Sequence, residues 1–243
     1  MLLQSLSPVI DLLYPPRCPL CGEAIAAQTG LCRDCWEKLV IPGEPCCKIC
    51  QLPFADTQLP PGNACSHCLA SPPRHDGIAA ATLYNDTARQ LVLALKHGGK
   101  IALAPMLARQ IAARLPDLKG EWVTVPVPLH PIRLWRRGFN QSALLARELS
   151  ELTGARLLVD GLKRTRRTPS LGGLGRIERR RVLHGAIVTK GQRLPQIEGA
   201  QILLVDDVMT SGATSDACIA ALKQAGARRV VIACFSRKLD ESL

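Results

Sequence analysis

Two adjacent carboxylates, Asp206 and Asp207, stand between the aliphatic run Ile202-Leu203-Leu204-Val205 and the small-residue turn Thr210-Ser211-Gly212-Ala213-Thr214. Each part of that string has a chemical use. Small side chains let successive backbone N–H groups and hydroxyls converge on an anion, and the dipole of a following helix favours its negative charge. Two acids placed one step before such a turn can accept hydrogen bonds from vicinal hydroxyls, as acidic residues do at a ribose. A phosphorylated sugar satisfies both halves. The bland alternative is an Asp pair that merely caps the next helix; the complete ordered string favours the ligand.

The aliphatic run is too short for a surface helix and follows Gly199, so it reads as a central parallel strand. The carboxylates then fall at its carboxyl end, where an open α/β sheet places ligands. Ser215 to Leu222 reads as an amphipathic helix closed by Gly226. This layout resembles the loop of the type I phosphoribosyltransferases that binds phosphoribosyl pyrophosphate (PRPP). The resemblance implies that Asp206 and Asp207 hold the ribose hydroxyls and that Thr210, Ser211, Gly212, Ala213 and Thr214 hold the 5′-phosphate.

Nine of the eleven cysteines lie between Cys18 and Cys68, eight of them in four CxxC pairs: Cys18/Cys21, Cys32/Cys35, Cys47/Cys50 and Cys65/Cys68. A CxxC turn puts two sulfurs on one side of a tight knuckle, and two knuckles complete the four-thiolate shell of a structural Zn²⁺. Eight thiols make two such sites, closed and structural. Sequential pairing assigns the first four cysteines to one ion and the last four to the other; an interleaved pairing fits the spacing too. Cys46 is the spare thiol unless it replaces Cys47, and His67 and His75 have no obligatory ligand role. Disulfides are the competing chemistry, and the absence of a secretory signal favours zinc in a reducing cytoplasm. Cys218 and Cys234 sit in apolar stretches and read as packing residues.

The formal charge of +11 is uneven. Between Lys163 and Arg193 ten basic residues face the single acid Glu178, a stripe that suits a pyrophosphate group or a nucleic-acid backbone, or else forms a solvated loop. Arg133, Arg136 and Arg137 interleave with Trp135 and Phe139, a pattern able to bind phosphate while stacking a base, with Asn140 beside it. The alternative makes the two aromatics core anchors and the arginines a solvated rim. Leu2, Leu3, Leu6, Val9, Ile10, Leu13 and Tyr14 recur at helical spacing up to Pro15-Pro16, giving a short amphipathic helix with no transmembrane segment.

Three segments follow from these shifts: an amphipathic helix over residues 1–16, a double zinc ribbon over 17–72, and an α/β domain over 73–243 that opens after Pro72-Pro73. Within the last, Asp86 to His97 and Ile101 to Leu115 read as helices, Trp122 to Pro128 as a strand ending in a proline-rigid loop, and about Ser142 to Leu152 as a helix. The cysteine knuckles, LKHGGK, VPVPLHPIRLWRRGFNQS, TPSLGGLGRIERRRVLHGAI and VDDVMTSGAT together resemble the ComF/GntX family across nearly the whole chain. The resemblance implies a type I phosphoribosyltransferase-like parallel sheet flanked by helices, joined to a small Cys-rich ribbon domain with two zinc ions. It further implies a PRPP or phosphosugar ligand taken with Mg²⁺, and a part in DNA uptake (natural competence) or nucleotide scavenging, with single-stranded DNA or a DNA-uptake protein as partner. Leu171 and Val182 stand where members commonly carry amides, so a ligand contact made there in those members is missing here. Two alternatives stay open: an active phosphoribosyltransferase with an unknown base acceptor, and a nucleic-acid-binding adaptor without catalysis.

Overall fold

The computed structural model describes residues 14–54, 63–97, 99–166, 176–183 and 185–239. The expected helix over residues 1–16 lies almost wholly outside them, as does part of the basic segment between Lys163 and Arg193. Five strands form an all-parallel sheet: β1 (Ile78–Leu83), β2 (Trp122–Pro126), β3 (Arg156–Leu157), β6 (Gln201–Met209) and β7 (Arg229–Arg237), in the order β1-β7-β6-β2-β3. A separate antiparallel pair joins β4 (Leu162–Arg164) to β5 (Ile187–Thr189). The helices are α1 (Arg33–Glu37), α2 (Ser66–Ala70), α3 (Asp86–Lys96), α4 (Ala104–Ala112), α5 (Pro131–Arg137), α6 (Gln141–Thr153), α7 (Arg176–Leu183), α8 (Leu194–Ile197) and α9 (Ala213–Gln224).

The centre of the sheet explains the aliphatic run. Ile202, Leu203, Leu204 and Val205 are all fully buried because helices cover both faces. Ile202 and Leu204 pack in one cluster with Cys218, Ile219 and Leu222 of α9. Val205 joins a second cluster with Leu91 and Leu95 of α3, Leu107 and Ile111 of α4, and Leu145 and Leu149 of α6. The two-residue alternation of the strand therefore sends successive side chains into different cores. Cys218 and Cys234 are fully buried as packing residues, and burial pushes the Cys234 thiol up to about 12.

Two helices differ from expectation. Pro131–Arg137, to which the sequence reading assigns no element, is helical because the His130 side chain accepts from the Ile132 amide, Pro131 occupies the first turn, and Gly138 at φ +81 ends the helix in a left-handed conformation. The expected helix over Ile101 to Leu115 splits into a 3₁₀ turn, Ile101–Leu103, and α4. Proline is tolerated only in the first helical turn, so Pro105 fixes the start of α4 at Ala104.

The cysteine-rich segment wraps the β1 edge. Leu20, Leu31 and Leu39 of its first half pack with the α3, α4 and α6 core, whereas Cys47, Cys50, Ala64, Cys65 and Cys68 of its second half pack with the α9 core. Between them, the amide of Leu83 donates to the carbonyl of Val40 at 2.7 Å and the amide of Ala80 to Oε1 of Gln51 at 2.9 Å. Donors that an edge strand would otherwise present to other chains are thereby occupied. Asn85 adds a tie: its Oδ1 caps α3 at the Ala88 amide and its Nδ2 donates to the Lys38 carbonyl. Asn85→Ala should lower unfolding free energy by about 1–2 kcal/mol, and Asn85→Asp, which keeps the cap and loses the tie, by less. Urea denaturation measures both, and an Asn85→Asp variant as stable as wild type would refute the tie.

Candidate functional site

The strand order locates the site. After β2 the chain runs outward through α6 to β3, whereas after the neighbouring β6 it runs the other way through α9 to β7. Adjacent strands whose connections diverge leave a crevice at their carboxyl ends, where α/β proteins bind ligands. Pairing deepens it. β2 stays in register with β6 only as far as Pro126 opposite Val205, while β7 continues to Arg237 opposite Met209. Asp206 and Asp207 are the first β6 residues beyond the β2 pairing.

Both carboxylates are buried, Asp206 at 9% and Asp207 at 3% exposure. Asp206 Oδ1 accepts from the Ser142 hydroxyl at 3.0 Å and from the Asp207 amide at 2.9 Å. Asp207 Oδ2 pairs with Lys96 Nζ, at the end of α3, at 2.5 Å, and its Oδ1 receives a long contact of 3.5 Å from Gln141 Nε2. Gln141 Oε1 in turn accepts from Arg137 Nη1 at 2.6 Å. Desolvation, reinforced by the Asp207 charge, pushes the Asp206 carboxyl up from 3.8 to about 8. An acid held at such a cost is characteristic of a functional position.

The turn that follows is built for close approach. Gly212 adopts φ +73 at the start of α9, a left-handed conformation that side chains disfavour, and a Cβ there would lie 3.2 Å from Met209 Cε. Ser211 and Thr214 are partly buried beside it and Thr210 is exposed. The amino terminus of a helix of twelve residues faces this turn.

The RRGFNQS run turns out to support the acids. Asn140 caps α6 by accepting from the Ser142 amide at 3.0 Å while its Nδ2 donates to the Val127 carbonyl at 3.0 Å, which fixes where α6 begins relative to β2. Gln141 and Ser142 follow directly and carry the two contacts to the carboxylates. Arg137 and Phe139 are half-buried at this corner, and Arg136 is exposed. Trp135 points outward at 83% exposure, so it is no core anchor. Sequence alone does not single out Lys96, Gln141 and Ser142, although they lie within the LKHGGK and RRGFNQS strings. Adjacency to a cap residue was the available signal for the last two.

The cysteines assemble in sequential sets. The Sγ atoms of Cys18, Cys21, Cys32 and Cys35 lie within 4.8 Å of one another, as do those of Cys47, Cys50, Cys65 and Cys68. Tetrahedral zinc with bonds of about 2.3 Å requires sulfur separations of roughly 3.8 Å, and Cys50 and Cys65 stand at 3.7 Å. Backbone donors favour one thiolate in each set: against the opposing effect of burial, amides that include those of Cys21 and Cys32 bring Cys18 down to about 6, and those of Cys65 and Cys50 bring Cys47 down to about 7, whereas burial and the neighbouring sulfurs push Cys35 and Cys68 up. The donor sets fit two Zn²⁺ ions. Cys46 belongs to neither and places its sulfur 3.4 Å from Glu44 Oε1.

The acid pair supplies a pH test. The folded chain binds the Asp206 proton more tightly than the unfolded chain, so the associated stability is complete below 3.8 and is lost as pH rises through about 8. Asp206→Asn removes that titration. Its melting temperature should gain on wild type progressively between those limits, and an offset independent of pH would contradict the burial of an acid there.

Two family models cover most of the chain: a double zinc ribbon domain over residues 9–69 and a phosphoribosyl transferase domain over residues 77–242. The chain is 31% identical to the DNA utilization protein YhgH of Escherichia coli O6:H1, over 94% of this chain and 100% of that protein. It is 29% identical to competence protein F of Haemophilus influenzae, over 89% of this chain and 94% of that protein. Among solved structures, a Bacillus subtilis glutamine phosphoribosylpyrophosphate amidotransferase matches with a TM-score of 0.36 at 21% identity, over 53% of this chain and 25% of that one. The parallel sheet, the two four-cysteine sets and end-to-end relatives place the chain in the ComF family, whose members join a double zinc ribbon to a phosphoribosyl transferase domain.

Proposed function

We propose that this chain binds PRPP or a related phosphosugar in the crevice between β2 and β6 and serves DNA uptake or nucleotide scavenging in the cytoplasm. The observation that carries the reading is the buried pair Asp206 and Asp207, set at a switch point of the sheet and followed at once by the Gly212 turn. In this reading the two carboxylates accept from the ribose hydroxyls, and Thr210, Ser211, Gly212, Ala213 and Thr214 enclose the 5′-phosphate. Arg137, tied to Asp207 through Gln141, stands where it can meet a second anionic group. The ribose hydroxyls take over contacts that Ser142 and Lys96 now make, so the site is already polarised for them.

Among the described residues, the groups of three or more metal-type ligands are the two cysteine sets. The acid pair alone offers two carboxylates, so Mg²⁺ would arrive on the diphosphate and draw most of its oxygens from the ligand and water. When bound it would neutralise the diphosphate charge. A role in DNA uptake is supported by relatives whose names refer to DNA utilization and competence. The cytoplasmic assignment is supported by eight thiols that need a reducing compartment, and no described helix is long and apolar enough to cross a membrane.

A second reading, contact with single-stranded DNA, is favoured by α5. It buries none of its residues, and Trp135 and Arg136 are exposed on it beside the crevice. An exposed ring among arginines can stack a base while the cations track the backbone.

Calorimetry with PRPP and Mg²⁺ tests the first reading. Wild type should give saturable heat, and a double Asp206→Ala/Asp207→Ala variant should bind about 100-fold or more weakly, because hydrogen bonds to charged groups contribute roughly 1.5–3 kcal/mol each. Equal absence of heat in both proteins would reject it, and pyrophosphate release across a panel of bases would reveal transfer. For the second reading, Trp135→Ala should weaken single-stranded DNA binding by about 1–3 kcal/mol and leave the PRPP affinity unchanged. A flat response of DNA affinity to salt would reject it.

A further inference from the structure

The two cysteine sets meet solvent differently. All four residues of the second set are buried, none more than 6% exposed, and they pack with the α9 core. In the first set Cys18 and Cys35 are buried, whereas Cys21 is exposed and Cys32 partly so. A hollow of about 560 Å³ opens beside this pair, lined by Cys21, Cys32 and Cys35 with Ala24, Ile25 and Leu31. The second set also borders a cleft, but its residues stay buried there.

The accessible pair is also a close pair. Sγ of Cys21 lies 3.4 Å from Sγ of Cys32, which belongs to the other knuckle of the set. Oxidation of cysteine needs a thiolate that an oxidant can reach, and it ends in a disulfide when a second sulfur stands ready to resolve it. Within a zinc shell every cysteine is already a thiolate, so access decides which of them reacts. Cys50 and Cys65 of the second set approach almost as closely, at 3.7 Å, but both are buried. Proximity and access therefore coincide on Cys21 and Cys32. The halves of the ribbon are also held separately, the first by Leu20, Leu31 and Leu39 in the α3, α4 and α6 core and the second in the α9 core. The first half can lose its metal while the second stays seated.

We propose that Cys21 and Cys32 form an oxidation site for hydroperoxides, and that their oxidation empties the first four-cysteine set while the second keeps its zinc. The Cys21 thiolate attacks one oxygen of hydrogen peroxide and the O–O bond breaks. Hydroxide leaves, takes a proton from solvent to become water, and Cys21 is left as a sulfenic acid. The Cys32 thiolate then attacks the Cys21 sulfur, the S–O bond breaks, and a second hydroxide leaves and is protonated. The two thiolates have lost two electrons and share a disulfide; the peroxide has gained those electrons and two protons and become two waters. Cys18 and Cys35 alone do not complete a four-thiolate shell, so the first set releases its ion. The site does not depend on the phosphosugar reading, because it uses no residue of the β2 and β6 crevice.

The test treats the full, zinc-loaded chain, freed of reductant, with hydrogen peroxide while a chromophoric chelator reports released zinc, and maps the cysteines by mass spectrometry of peptides under non-reducing conditions. One ion should leave at least about 10-fold faster than the other, as exposure governs susceptibility. Its release should keep pace with a disulfide joining Cys21 to Cys32, with Cys47, Cys50, Cys65 and Cys68 still unoxidised at that stage. Dithiothreitol with added zinc should then restore the lost ion, which a disulfide allows and a sulfinic acid does not. Release of both ions at one rate, release from the second set first, or no release at millimolar peroxide overturns the proposal. Loss of the first ion with Cys21 and Cys32 left unjoined, whether by sulfinic acid or by a bridge between other cysteines, also overturns it.

Discussion

Two neighbouring carboxylates held out of water at one end of a parallel strand impose the main constraint on this molecule. Neither can be left bare, because a buried polar or ionised group without partners is far costlier than any surface one. Asp207 takes Lys96 and Gln141, and Asp206 takes Ser142 and the next backbone amide. These partners dictate where other elements stop and start. α3 must end at Lys96, α6 must begin at Gln141, and β2 must leave the sheet at Pro126 to expose the pair. Asn140 fixes the second of these by capping α6 while holding the Val127 carbonyl just past the end of β2. The site is therefore assembled by helix ends and a strand end, which are the positions best able to aim groups at a crevice.

The cysteine ribbon solves a different problem in the same sheet. β1 is an edge strand of small residues, Ile78-Ala79-Ala80-Ala81-Thr82-Leu83, with little apolar bulk of its own. The ribbon crosses it, occupies two of its amides and places a half in each core. Four thiolates gathered around zinc supply folding energy that so short a segment could not obtain from burial alone. Cys50, Cys65 and Cys68 of the second set also line a cleft beside α9.

Much of this was legible in the sequence because the signals were local. The β6 run, the small-residue turn and the CxxC spacing each declare themselves within a few residues, and the structure returns the β6 strand, the α9 helix and the sequential cysteine sets. β1 was not recognised because an alanine run has no decisive period; its strand state comes from pairing with β7 and from the ribbon across its edge. α5 was missed because Pro131 suggests a break, whereas at the first helical position it is compatible with helix. The Lys96 contact was out of reach, since it joins the end of α3 to β6 across most of the domain and nothing in either local sequence names the other. His75, given no obligatory ligand role from the sequence, belongs to neither cysteine set and is buried.

Under the proposed function, Asp206, Asp207 and the Gly212 turn receive a phosphosugar. A crystal structure of the chain soaked with PRPP and Mg²⁺ tests it most directly. Ribose hydroxyls are expected within hydrogen-bond distance of both carboxylates, with the 5′-phosphate enclosed by the backbone amides between Thr210 and Thr214. PRPP bound elsewhere, with Asp206 still closed on Ser142 and Asp207 still closed on Lys96, would contradict it.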